Sequence, residues 1–276
     1  MEVNGYKIEP GADLSGANLF GANLFGADLP KANLWEANLT GANLQCADLS
    51  HAKIHDANLT GANLTSANLT DAYIQNANLT NANLQFANLT NADLTKANMT
   101  GANLTQANLT GASLRWADLS AADLSEANLT NANLTGADLS SADLIGTDLT
   151  GADIPGANLD QANMTGANLT NANLNGAVIH WANLTGADLE GADLSKAILS
   201  EAKLLRTNLT NAFLHFTNLT NADLRWADLT NANLTNANLT NADMRWADLS
   251  AADLTAADLS EATLTGATMP DGTIHN

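Results

Sequence analysis

The chain has 276 residues, a formal net charge of −19 and one cysteine. Charged residues make up 14% and aromatic residues 4%, so it lacks the large rings that fill a conventional core of this length. The negative charge argues against direct binding to nucleic acid or to an anionic membrane. One cysteine excludes a disulfide framework and a multi-cysteine zinc site.

Residues 1–11 lie outside the repeat that fills most of the chain. We expect them to form an N-terminal cap, in which Tyr6 and Ile8 cover the first coil. The start does not read as a signal peptide, and no apolar run reaches the ~18 residues that cross a bilayer. These features predict a cytoplasmic protein that does not contact a membrane.

From Leu14 to Met269 every fifth residue is Leu, Ile or Met, which gives 52 consecutive five-residue units. Ala stands two residues earlier, except for Thr147, Thr207 and Thr217. The unit reads Ala, then usually Asn or Asp, then Leu, then two variable residues, of which the first is often Thr or Ser and the last is often Gly or Asn. No linker or change of composition divides residues 12–269, so they are predicted to form a single domain.

A strict period of five excludes a regular helix and a continuous strand. Successive leucines would scatter around an α-helix, and an odd period would place them on alternating faces of a strand. The pattern fits a chain that turns a corner once per unit. Ala and Leu then point inward, the residue between them points outward, and Gly or Asn supplies the positive φ of the corner. The sequence therefore predicts an all-β solenoid.

The number of sides in each coil is indicated by unusual residues that recur 20 positions apart. These pairs are Lys53 and Tyr73, Val178 and Ile198, and Arg225-Trp226 and Arg245-Trp246. Bulky outward residues favour each other as neighbours on adjacent strands. Twenty residues are four units, so the sequence predicts a square coil and about 13 coils of 20 residues.

The repeat ends at Met269. Pro270 lacks the N–H that a further ladder bond requires, and with Asp271 and Gly272 it predicts the end of the winding. Residues 270–276 are expected to form a C-terminal cap. Both ends of a solenoid offer open edges to other chains, so we expect a monomer and keep a dimer as the alternative.

Residues 12–269 resemble the pentapeptide-repeat family. The resemblance implies a right-handed quadrilateral parallel β-helix, and the handedness rests on the resemblance alone. Asn4-Gly5-Tyr6 before the repeat and the segment from Met269 to His275 after it look like the ends of cyanobacterial members.

Few residues offer chemistry for catalysis or metal binding. Cys46 occupies a fifth position and is expected to be an exposed thiol. His51 and His55 have the spacing of a helical metal pair, but in a β-coil they lie on different sides of a corner. We therefore predict no catalytic residue, no metal site, no cofactor and no enzymatic activity.

Residues 116–195 contain no Lys or Arg and carry eleven Asp and Glu. The acidic belt is defined as Asp118, Asp123, Glu126, Asp138, Asp143, Asp148 and Asp153, with Asp118 and Asp138 expected on one face. Gyrase-protecting members of the pentapeptide-repeat family, which are associated with quinolone resistance, are acidic rods thought to occupy a DNA-binding groove. The resemblance therefore implies DNA mimicry. The alternative is that Asp and Asn interchange at an outward position and that the charge keeps a large β-surface soluble.

A second group of surface residues lies near the C-terminus. The candidate partner-binding residues are Arg206, Arg225, Trp226, Arg245, Trp246, Phe213 and Phe216. The two Arg-Trp pairs are expected in adjacent coils, with Arg206 one coil earlier and the phenylalanines on the neighbouring face. Trp and Arg often anchor interfaces and form cation–π contacts. The alternative is a self-contained ladder in which the arginines shield stacked tryptophans. Trp35 and Trp181 show no comparable clustering in the sequence.

These observations favour a non-catalytic pentapeptide-repeat rod that mediates protein–protein interaction with a partner of open identity. The alternative is an acidic DNA mimic that binds a type II topoisomerase (gyrase) or another DNA-binding protein.

Overall fold

The computed structural model describes residues 1–276 and divides them into two compact units, Met1–Asp138 and Leu139–Asn276. The chain opens with a hairpin of two strands, β1 (Glu2–Val3) and β2 (Tyr6–Lys7), which pair antiparallel. Beyond the hairpin the chain forms no helix, and the five-residue units pair through single parallel β-bridges. The all-β prediction is confirmed.

In each unit, the bridges join residues 20 apart. In the first unit they run from Asp13 paired with Asn33 to Asp118 paired with Asp138. In the second they run from Asp143 paired with Asn163 to Asp248 paired with Thr268. The pairing confirms a coil of four five-residue sides, whereas the total of about 13 coils stays a prediction.

Backbone hydrogen bonds show how a unit joins the next coil. Leu34 N–H donates to Lys53 O at 2.7 Å, and Lys53 N–H donates to Ala32 O at 2.9 Å. At the corner, Ala37 N–H donates to Leu34 O at 3.0 Å, and Glu36 between them has a φ of 54°. This geometry resembles a type II turn, which requires a positive φ at its third residue.

The first and third positions of each unit form the core. Leu34 and Ala32 are fully buried, as are most of their counterparts along both units. Thr207 and Thr217 replace Ala without leaving a buried hydroxyl unpaired, because their Oγ1 atoms donate to Leu184 O at 2.8 Å and to Leu194 O at 2.9 Å. The inward placement predicted for Ala and Leu is confirmed.

The two chain ends differ in how they cover the core. At the N-terminus Ile8 is only 4% exposed, and Tyr6 Oη accepts a hydrogen bond from Asn18 N–H at 3.3 Å. At the C-terminus Thr268 pairs antiparallel with Ile274, whose side chain stays 57% exposed. The boundaries of the caps, 1–11 and 270–276, and the single repeat domain over 12–269 stay predictions.

The core assignment predicts unequal effects for two neighbouring residues. Leu134→Ala removes a fully buried side chain and should lower the free energy of unfolding by about 2–5 kcal/mol. Thr135→Ala removes a partly exposed hydroxyl that donates to Asn133 Oδ1 at 2.7 Å, and should cost about 1 kcal/mol or less. Guanidinium denaturation measures both values. Equal losses for the two variants would contradict the inward placement of Leu134.

Candidate interaction surfaces

The second unit carries a pair of stacked tryptophans. The rings of Trp226 and Trp246 lie 4.9 Å apart between centroids, with an angle of 16° between their planes. Both occupy the corner position of a unit, with φ values of 61° and 59°, and their side chains are 52% and 43% exposed. An indole pair that remains so exposed offers a large apolar contact area to a partner.

The arginines beside these tryptophans are held by carboxylates. Arg225 Nε and Nη2 donate to the two oxygens of Asp223, each at 2.7 Å. Arg245 donates in the same way to Asp243 at 2.8 and 2.6 Å, and its guanidinium lies 5.6 Å from the centre of the Trp246 ring. The hydrogen bond from Arg225 and the charge it brings lower the pKa of Asp223, against the effect of burial. The aspartates neutralise the charges of Arg225 and Arg245, so the surface around the tryptophans is aromatic and not basic.

The remaining predicted members of this patch do not all join it. Arg206 N–H donates to Arg225 O at 3.0 Å, which places Arg206 one coil before Trp226. Phe213 pairs with Asn233 in one column of bridges, and Asp223 pairs with Asp243 in another. The two columns are ten residues apart along a coil of 20 residues. The prediction that Phe213 and Phe216 lie on the neighbouring face is therefore wrong, because ten residues correspond to two sides of the coil.

A Ser, His and Asp group beside Phe216 does not form a catalytic arrangement. Ser195 Oγ donates to Asp193 Oδ1 and lies 2.8 Å from His215 Nδ1. In a nucleophilic triad the carboxylate orients the imidazole, whereas here it binds the serine hydroxyl. Ser195 is also fully buried, so no substrate can reach it.

In the first unit, the acids of the belt act as local hydrogen-bond acceptors. Asp118 pairs with Asp138 as expected, and its Oδ1 accepts from Ser120 N–H at 3.0 Å and from Ser120 Oγ at 2.6 Å. Burial raises the pKa of Asp118, but hydrogen bonds from Ser120 and Thr100 together hold that pKa below its ordinary value. The pKa of Asp123 is lowered by the same balance. Glu126 accepts a hydrogen bond from the Gln106 side chain.

The belt residues of the second unit have similar roles. Asp148 Oδ1 accepts from Thr150 N–H at 3.0 Å and from Thr150 Oγ1 at 2.6 Å. Asp143 Oδ1 accepts from Ile145 N–H at 3.3 Å, and Asp153 Oδ1 accepts from Asn173 Nδ2 at 2.7 Å. Asparagines at the same repeat position accept equivalent bonds, as Asn33 Oδ1 does from Trp35 N–H at 3.3 Å. Asp and Asn therefore have the same structural role at this position, because the Oδ1 atom of either residue accepts a hydrogen bond.

Trp35 and Trp181, for which the sequence showed no clustering comparable to the Arg-Trp pairs, contact histidine and acidic side chains. Trp35 Nε1 donates to Asp56 Oδ2 at 3.3 Å, and its ring lies 6.2 Å from that of His55. Trp181 stacks 4.2 Å from His180 and donates to Glu201 Oε2 at 2.7 Å. The sequence could have indicated the contacts of Trp35 with His55 and Asp56 and of Trp181 with Glu201, because residues separated by 20 or 21 positions are neighbours in adjacent coils.

Sequence reasoning missed a groove beside Trp35. A cavity of about 400 Å³ is lined by Lys53, His55, Asp56, Tyr73, Gln75 and Asn76. In the next two coils of the first unit, Lys96 Nζ lies 5.8 Å and Arg115 Cζ 4.6 Å from the centre of the Trp116 ring. Lys53 and Tyr73, two unusual residues 20 positions apart, served to predict the length of the coil. The same two residues also line this groove.

The structure also places the remaining candidate residues, Cys46, His51 and His55. Cys46 is exposed, and His51 lies 3.8 Å from Asp71 Oδ2, away from His55. No group of three or more His, Cys, Asp or Glu side chains is arranged to hold a metal ion. No helix in the structure could span a membrane.

The coil geometry defines a β-helix built from five-residue repeats. A sequence profile described as pentapeptide repeats matches the chain in eight copies, over residues 12–56, 47–85, 87–125, 117–154, 152–191, 187–225, 217–255 and 227–266. The chain belongs to the pentapeptide repeat family. Proteins of this family fold as right-handed quadrilateral β-helices.

Solved structures similar to the chain include three pentapeptide repeat or resistance proteins. HetL from the cyanobacterium Nostoc sp. strain PCC 7120, involved in heterocyst differentiation regulation, is 35% identical over 92% of both chains, with a TM-score of 0.37. Rfr23 from the cyanobacterium Cyanothece 51142 is 32% identical over 47% of this chain and 91% of its own, with a TM-score of 0.23. QnrB1, a plasmid-mediated fluoroquinolone resistance protein, is 19% identical over 66% of this chain and 88% of its own, with a TM-score of 0.38. No curated protein matches the chain.

The lowered pKa values in the acidic belt predict a specific acid sensitivity. Because the folded-state pKa values of Asp118 and Asp123 lie below their ordinary value of about 3.8, their stabilisation is present above that value and is lost as the pH falls through the folded-state values. The double variant Asp118→Asn, Asp123→Asn retains the Oδ1 acceptors but cannot titrate. Its melting temperature should lie slightly below that of the wild type at pH 7, because Asn lacks the stabilising charge, and should fall less steeply between about pH 4 and pH 2. Parallel melting curves over that range would contradict the assigned role of these carboxylates.

Proposed function

We propose that the protein is a non-catalytic protein-interaction module, and that the stacked pair of Trp226 and Trp246 is the centre of its docking surface. The observation that carries the proposal is this half-exposed indole stack in a chain whose large aliphatic side chains are mostly buried. Indole rings held rigidly at a surface lose little conformational entropy when a partner covers them.

The carboxylates around the stack determine which partner would fit. Asp223 and Asp243 neutralise the two guanidiniums, so a partner does not need to bring acids to offset them. The stack then favours a partner that offers apolar or aromatic side chains to the indoles. Arg206, which forms no ion pair within 4.0 Å, remains available for one polar contact at the rim.

The other attributes of the proposal follow from the family and the composition. Pentapeptide repeat proteins are generally structural or interaction proteins. We propose that this chain likewise uses no cofactor, acts as a monomer in the cytoplasm, and binds neither nucleic acid nor a membrane directly, since its net charge is −19.

The docking surface is tested with matched tryptophan variants. The double variant Trp226→Ala, Trp246→Ala should lose the partners that wild-type protein captures from host lysate, with an unchanged melting temperature. Trp181→Ala is the control, because Trp181 occupies the same repeat position and is also 52% exposed. Loss of stability in the double variant with unchanged capture would instead assign the stack to a self-contained surface ladder.

An acidic DNA mimic that acts on a type II topoisomerase (gyrase) or another DNA-binding protein is the second candidate. The observation that favours it is the run of eleven acids without Lys or Arg over residues 116–195. The hydrogen bonds that Asp118 and Asp148 accept weigh against it, because they give these acids a structural role independent of any partner.

The mimic predicts a salt-dependent effect on gyrase. At micromolar protein and low ionic strength it should inhibit supercoiling, and the effect should weaken steeply as salt is added. Replacing Asp118, Asp138, Asp148 and Asp153 by Asn should abolish the inhibition without a change in fold. Supercoiling that is unaffected by the wild-type protein under these conditions excludes gyrase as the target.

A further inference from the structure

One corner of the first unit places a groove beside a pair of cations. The groove is the cavity of about 400 Å³ lined by Lys53, His55, Asp56, Tyr73, Gln75 and Asn76. Its volume falls near the lower end of the range of small-molecule pockets. The cation pair is defined as Lys96 and Arg115, which lie 5.8 and 4.6 Å from the centre of the Trp116 ring.

The lining of the groove combines the Tyr73 and His55 rings with polar side chains. The Tyr73 side chain is 50% exposed, and Trp35 is held next to the groove by its hydrogen bond to Asp56 Oδ2 at 3.3 Å. Gln75 Nε2 donates to Asp93 Oδ2 at 2.6 Å, which occupies the amide nitrogen and fixes the side chain. Because hydrogen bonds already hold these side chains in place, the protein loses little conformational entropy when an apolar or aromatic side chain binds in the groove.

The cation pair lacks an acidic partner within the chain. No carboxylate lies within 4.0 Å of Lys96 or Arg115, whereas Arg225 and Arg245 in the second unit are each paired with an aspartate. The Trp116 ring packs against Gly136, where a Cβ would approach its Cδ1 to 2.7 Å, so the glycine leaves room for the ring. Two cations without an ion pair beside an indole, in a chain with a net charge of −19, are suited to an acidic ligand group.

The spacing between the two features selects the shape of the ligand. Asp56 and Asn76 in the groove occupy the same corner position as Lys96 and Trp116, which follow them by two coils. Two coils correspond to about 9.6 Å at the spacing of β-strands. A polyproline II segment advances about 9.3 Å in three residues and returns to the same face. Residues i and i+3 of such a segment would reach the groove and the cations together.

We propose that this corner binds a proline-rich segment of a partner protein in the polyproline II conformation. An aromatic side chain of the segment fills the groove at Tyr73, and a carboxylate three residues away contacts Lys96 and Arg115. Aromatic-lined grooves are a common recognition mode for this conformation, because a preformed extended helix loses little entropy on binding. The surface is separate in sequence from the Trp226 and Trp246 stack, so neither proposal depends on the other.

The test uses fluorescein-labelled synthetic peptides with the full-length protein. The probes are Ser-Trp-Pro-Pro-Glu-Ser and its reverse, and fluorescence anisotropy should give saturable binding below about 1 mM for at least one of them. A peptide with Lys in place of Glu, and one with Ala in place of Trp, should bind at least about fivefold more weakly.

Protein variants locate the site. The double variant Lys96→Gln, Arg115→Gln should weaken binding about fivefold to tenfold, and Tyr73→Ala should weaken it at least as much. Lys31→Gln is the charge-matched control, because Lys31 is an exposed lysine at the same repeat position on a different corner. It should change the affinity less than twofold. All variants should retain the wild-type melting temperature, since each changes an exposed side chain.

Three outcomes would overturn the proposal. The first is no binding of either peptide up to about 1 mM. The second is binding that Lys31→Gln weakens as much as the Lys96→Gln, Arg115→Gln variant does. The third is binding of a galacturonate trisaccharide, with loss in the same variants, while neither peptide binds, which would assign the corner to an acidic sugar.

Discussion

The structure depends on one backbone constraint: the chain must turn a corner after every fifth residue. The corner residue adopts a positive φ in almost every unit, also where it is not glycine, as at Trp116 with a φ of 55°. A left-handed conformation costs a non-glycine residue about 1–2 kcal/mol. Ladder bonds such as that from Trp116 N–H to Thr135 O at 3.0 Å hold the corner in place, and the burial of Ala and Leu on every side offsets the cost.

This constraint also decides where function can reside. The inward positions are filled by Ala and Leu, and the middle position is occupied by Asn and Asp that accept hydrogen bonds from the turn two residues later. The fourth and fifth positions vary most, and the second position departs from Asn and Asp in a minority of units, as at Lys53 and Tyr73. Both surfaces that we propose for binding place tryptophan at the fifth position, Trp116 in one unit and Trp226 with Trp246 in the other. The tryptophans proposed to bind partners therefore lie in columns of corner positions, in which neighbouring coils are 20 residues apart.

The inward residues, the four-sided coil and the Trp226 and Trp246 stack could be predicted, because a period of five and a recurrence of 20 translate directly into geometry. The neutralisation of Arg225 could not, since it depends on a side-chain conformation that folds back to Asp223 two residues earlier. The groove at Tyr73 was missed for a different reason. It combines residues from three positions of the unit in adjacent coils, and no single column of the repeat contains them. Phe213 was placed on the wrong side because the ten-residue offset was not counted in sides.

The native Cys46 allows the most direct measurement of this account. Ser66 follows it by 20 residues, and both occupy exposed corner positions with φ values of 58°. Corners in adjacent coils are about 5 Å apart, within the Cα separation that a disulfide spans. Mild oxidation of Ser66→Cys should form an intramolecular disulfide, detected by loss of free thiol in monomeric protein. Gly61→Cys and Asp71→Cys, 15 and 25 residues from Cys46, should not. A disulfide in either of these variants, or none in Ser66→Cys, would contradict a corner at every fifth residue and four corners per coil.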